Sequence, residues 1–189
     1  MKIMQLPRFI AFCTMTSMIG SGHALAQNAP NIPPMAVSSP AFTDGGVIPD
    51  RYTLASDTPV SPALNWENVP TGVVSFALIM HDPDSVTNNS SSDFLHWMVF
   101  NIPASVHALP EALPNVARLA DGTIQANNRR GVAGYMGPGA RNVYHHYTIE
   151  LYALDNLLRL GPDATRSEVM MAMDGHVIAK GVLVGRFHR

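Results

Sequence analysis

The chain has 189 residues, of which 14% are charged and 47% hydrophobic, and a formal net charge of -2 at neutral pH. So few charges beside that much apolar content exclude a disordered polymer and indicate a packed globule with a single core. Lys180 is the sole lysine beyond residue 26, which excludes the broad basic face that nucleic acid binding requires.

Lys2 and Arg8 precede an apolar run over residues 9–19, and Ala24-Leu25-Ala26 supplies the small-x-small pattern that signal peptidase cuts after. Residues 1–26 are therefore expected to be a cleaved signal peptide, and the apolar run falls short of the about 20 residues that a membrane-spanning helix needs. The expectation is an exported, periplasmic protein with no integral membrane span in its mature form. Cys13, the only cysteine, lies inside this leader, so the mature chain must be stabilised by packing without disulfides. Residues 27–37 open with a Pro-, Asn- and Ala-rich stretch that predicts a flexible amino-terminal arm. Residues 38–189 are then expected to form one domain.

Between residues 38 and 70, Pro40, Pro49, Pro59, Pro62 and Pro70 together with Gly45-Gly46 break the chain into short extended pieces and exclude a long helix. Residues 73–80 form a β-favouring run whose alternation puts Phe76, Leu78 and Met80 on one face, with Asp82 next in register. Asn88 and Asn89 open N-glycosylation sequons, which in an exported bacterial-type chain read as a polar loop. Residues 94–100 are apolar on both faces, and simple alternation aligns His96 with Met98 and Phe100. Over residues 144–153, His145, Tyr147, Ile149 and Leu151 share one face while His146, Thr148 and Glu150 share the other. Thr165 with Glu168 forms a capping box that opens a short helix through Met173, and Gly175 stands where it would stop. Met170, Met171 and Met173 are expected to fill core. Residues 177–187 are again β-like. The chain thus predicts a mainly β fold, an antiparallel β-sandwich with a few short helices.

Asp82, His96, His145 and Tyr147 are the polar groups that these strands would carry inward. Two imidazoles titrating near ~6.5 beside a carboxylate and a phenol can receive an oxyanion. Asp82 could orient one ring, or accept a bond from an ammonium group, a combination suited to a zwitterion. Each histidine also reads as a core residue with its nitrogens satisfied, and Asp84 equally as a residue that fixes a turn. Asp82, His96 and His145 would suit a catalytic zinc site as well, but no His-Glu-x-x-His helix accompanies them, and no Gly-x-Ser-x-Gly elbow points to a serine hydrolase. The sequence therefore calls for neither cofactor nor metal.

Taken in order, several short blocks resemble the phosphatidylethanolamine-binding protein family, in particular its bacterial Raf-kinase-inhibitor-like branch. They are Ser39-Pro40-Ala41-Phe42 with Asp44-Gly45-Gly46, Ser61-Pro62-Ala63-Leu64 with Trp66, Asp82-Pro83-Asp84, His96-Trp97, Gly134-Tyr135-Met136-Gly137-Pro138, His145-His146-Tyr147 and Leu151-Tyr152-Ala153-Leu154-Asp155. The resemblance implies a compact β-sandwich with a small cavity for phosphate-bearing head groups or similar anions, lined by Asp82, His96, His145 and Tyr147. Asp84, Gly137 and Arg141 are secondary candidates. It also implies a non-enzymatic binding protein, or alternatively an inhibitor whose partner is a periplasmic protease. Val86, Ala140-Arg141 and His146 depart from the family's usual residues, which puts the head-group preference in question and offers Arg141 as a possible anion contact.

Overall fold

Residues 75–82 are apolar almost throughout, as a strand covered on both faces must be, and all eight of them are buried. This strand is the centre of the structure, a computed structural model that describes residues 34–86 and 93–189. In chain order the strands are Ala36–Ser38 (β1), Gly46–Val47 (β2), Leu64–Glu67 (β3), Ser75–Asp82 (β4), Phe94–Pro103 (β5), Ala108–Leu109 (β6), Ile124–Gln125 (β7), His145–Leu154 (β8) and Val177–Phe187 (β9). A 3-10 turn spans Asp50–Tyr52, and a helix, Arg166–Met173 (α1), precedes β9. Among the described residues no helix is long and apolar enough to cross a membrane. The expected leader and the two sequons lie outside the described residues.

Six strands form one sheet in the order β2-β9-β8-β4-β5-β7, and a second sheet has the order β1-β3-β6. Phe76, Leu78 and Met80 of β4 join Val99, Ile149 and Leu183 in a core shared with Val37, Leu64 and Trp66 of the smaller sheet. Across this layer the Trp66 and Phe76 rings meet edge-on at 5.4 Å, the geometry that aromatic quadrupoles favour. The fold is thus mainly β and a sandwich. One pairing departs from the antiparallel expectation: β2 runs parallel to β9, because the long crossover that parallel strands need is supplied by most of the domain.

The opposite face of the six-stranded sheet buries a second core, in which Ala77, Ile79, Met98 and Phe100 lie beneath Val169 and Met173 of α1. The helix starts as its capping box requires, with Thr165 accepting from the Glu168 N–H and the Glu168 carboxylate accepting from the Thr165 N–H at 2.8 Å. An eight-residue helix turns only a narrow stripe inward. Met173 is therefore buried, whereas Met170 and Met171 are 40% and 69% exposed and are not core filler.

Two other expectations change. The predicted arm ends too late at residue 37, since Met35 and Val37 are buried in the core and Ala36–Ser38 pairs with β3. On β5, Met80 pairs with Trp97 but His81 pairs with Leu95, so His96 is the extra residue of a β-bulge. A bulge shifts the alternation. His96 consequently faces the same side as Trp97 and Asp82, away from Met98 and Phe100, correcting the simple parity reading.

Candidate functional site

At the end of β4 the Asp82 carboxylate turns back on its own loop, and Oδ1 accepts the Asp84 N–H at 3.0 Å. Its Oδ2 accepts Nδ1–H of His145, the first residue of β8, at 2.7 Å. A backbone N–H and an imidazole therefore converge on a carboxylate that is only 4% exposed. This engagement removes Asp82 as a ready acceptor for an ammonium group, contrary to the zwitterion expectation.

The bulged His96 is clasped from across the cavity: its Nδ1–H donates to the Met136 carbonyl at 2.9 Å, and the Met136 N–H donates to the His96 carbonyl at 3.0 Å. Since a carbonyl can only accept, the ring proton sits on Nδ1 and leaves Nε2 for a guest. Burial pushes the His96 imidazolium down from its ordinary value, opposed by the Met136 carbonyl and Asp82, with nearby Arg130 lowering it further. Tyr147 lies edge-on to His96 at 5.1 Å. Its Oη accepts the Gly139 and Ala140 N–H groups at 3.3 and 3.1 Å, and burial pushes the phenol up to about 12. Tyr147 is thus neutral across the ordinary pH range and holds one wall in place.

These four groups line one cavity of about 180 Å³. The structure brings together Asp82, His96, His145 and Tyr147, as the sequence reading grouped them. It does not bring the secondary candidates there. Asp84 is held by the N–H and Nδ1–H of His146 at 2.7 and 2.8 Å, and the backbone N–H is the main cause of its lowered pKa. Its role is thus to tie the β4 turn to β8, and it is absent from the lining. Gly137 packs against the chain at Tyr52 and Thr53, where a Cβ would come within 2.9 Å of the Tyr52 carbonyl oxygen. Arg141 is exposed and lies outside the lining.

Sequence reasoning missed Leu54, Ser85, Phe94 and Arg130, which complete the lining with Met136, Gly139 and Ala140. Phe94 precedes the bulge and tilts against His96 at 5.1 Å. Leu54 carries no signal in the sequence, since it reaches the site through its N–H bond to the Pro138 carbonyl. Arg130 was detectable only as half of an Arg-Arg pair in a turn. Among the described residues Asp82, His96 and His145 do not form a metal-holding group, and the carboxylate that zinc would need is bonded to an imidazole.

A β-sandwich with a bulged histidine facing an aspartate-histidine pair is a known design, and residues 38–188 match the family model described as phosphatidylethanolamine-binding protein. The chain belongs to that family. Its relatives put it in the bacterial and archaeal branch. A UPF0098 protein of Methanothermobacter thermautotrophicus is 41% identical over 155 residues, covering 82% of this chain and 99% of the relative. One from Aquifex aeolicus is 37% identical, covering 82% and 89%. Among solved structures, a chain described as a phosphatidylethanolamine-binding protein homolog from Chlamydia trachomatis superposes with a TM-score of 0.74 at 31% identity, covering 82% of this chain and 98% of its own. Escherichia coli YbcL, described as a new member of the mammalian family, gives a TM-score of 0.72 at 27% identity with the same coverage.

Proposed function

We propose that this protein is a periplasmic, non-enzymatic binding protein whose cavity takes a phosphate-bearing or other anionic group. One observation carries the reading: His96 and His145, from separate strands, each have Nδ1 committed to a protein acceptor and line the same small hollow. Two imidazoles held in this way present their second nitrogens to a guest while their rings cannot turn. Apolar walls at Leu54, Phe94 and Met136 strengthen any polar contact made inside. The leader and its cleavage pattern support export.

Sulfate is the suitable first probe, because its charge does not change over the pH range in which imidazole titrates. Calorimetry is expected to show binding that weakens as pH rises past ~6.5, and H145A is expected to remove it. Affinity that stays level across that range, or survives in H145A, would overturn the reading.

A further inference from the structure

We propose that the cavity selects a net-anionic phosphate monoester over a zwitterionic phosphodiester head group, and that Arg130 at its rim is the residue that sets this preference. The inference rests on the anion-binding reading above and names the ligand class for that site.

A zwitterion needs an acceptor for its cationic end. Among the described residues Asp82 is the only acidic side chain in the lining, and it is buried with both oxygens engaged, by the Asp84 N–H and by His145. Asp84, the next carboxylate along the turn, is taken by His146 and lies outside the lining. An ammonium group entering here would have to break an existing charge-assisted hydrogen bond. Such bonds are among the stronger ones in proteins.

The charge inventory points the same way. Even with a fully protonated imidazole, the Asp82–His145 pair sums to zero, and His96 is a buried ring whose charging is opposed by burial and by Arg130. Arg130 therefore decides the sign of the cavity. Its backbone is fixed, since Asn128 Oδ1 accepts the Arg130 N–H at 2.9 Å and Asn128 Nδ2 donates to the Gly134 carbonyl at 3.0 Å. Among the described residues its guanidinium has no ion-pair partner, which leaves its donors for an oxyanion.

His96 separates monoester from diester. With Nδ1–H spent on Met136, its neutral Nε2 is an acceptor and needs a proton facing it. A phosphate monoester carries an ionisable oxygen that can supply one, while its other oxygens face Arg130 and His145. A diester has no such proton, so it would leave Nε2 without a donor or require a charged ring in a buried position, and either arrangement is unfavourable.

The test compares glycerol 3-phosphate, a monoester, with glycerophosphoethanolamine, a zwitterionic diester of the same glycerol, by calorimetry on wild type and R130Q. Wild type is expected to favour the monoester by about tenfold or more, the worth of one well-made charged hydrogen bond. R130Q should lose about five- to tenfold on the monoester and little on the diester, and the remaining preference should weaken with salt. Equal or tighter binding of the diester by wild type, or an unchanged ratio in R130Q, would overturn this inference while leaving sulfate binding intact. If neither compound nor sulfate binds wild type, the anion-binding reading fails with it. Arg130 is exposed, so R130Q should fold normally, and a matching urea midpoint confirms that. The wild-type comparison stands whatever the variant does.

Discussion

Single side chains hold the cavity walls through bonds that their replacements cannot make. Tyr147 is the clearest case, because its oxygen is buried and receives two backbone N–H groups from the 139–140 wall. Y147F keeps the ring but leaves both donors without a partner, and is expected to cost about 1–3 kcal/mol in urea denaturation. Anion affinity should drop as well, since Gly139 and Ala140 line the hollow. At this scale the sequence was readable where a side chain follows its strand, as for Asp82, His145 and Tyr147. It misled where a local irregularity intervenes. Alternation along β5 aligned His96 with Met98 and Phe100, and one extra residue in the ladder turned it to the other side. Arg130 and Leu54 come from turns and have no period to betray them.

The strands and the helix were legible because each has one dominant signal: burial on both faces for β4, a two-residue period for β8, and a capping box for α1. Close approaches between elements were not legible, since they depend on partners distant in sequence. On β9, a Cβ placed at Gly185 would lie 2.5 Å from Ile48 Cγ1 and 2.9 Å from Phe42 Cε2. Ile48 and Phe42 are themselves buried core residues with little room to move. G185A is therefore expected to destabilise by about 1–3 kcal/mol through overpacking, read as a lowered urea midpoint. The exposed Gly161, where a Cβ meets nothing within 4 Å, provides the control, and G161A should leave the midpoint nearly unchanged.

Across the whole domain, two buried groups set how stability responds to acid. His96 is held neutral mainly by burial, so below ~6.5 the unfolded chain takes up a proton that the folded one resists, and stability falls. Glu150, on the opposite face of the sheet, is lowered from 4.5 to about 2 by hydrogen bonds from His81, Lys180 and Tyr152, against an opposing desolvation. Its contribution is present above 4.5, and is lost as pH falls toward about 2. Urea midpoints measured against pH should therefore decline in two stages. E150Q should flatten the lower stage and lose on the order of 2 kcal/mol at neutral pH. A single decline, identical in E150Q, would contradict this account.

The hollow draws its walls from positions as far apart as Leu54 and Tyr147, and β8, which delivers two of them, is paired between β4 and β9. No fragment of the polypeptide owns a receptor, so a guest recognises completion of the architecture and not any stretch of it. Occupancy then braces every wall at once, adding about 2.7 kcal/mol against unfolding when free ligand stands at ~100 times Kd. The melting temperature thereby becomes a gauge of whether a given milieu supplies the molecule that this chamber was shaped to hold.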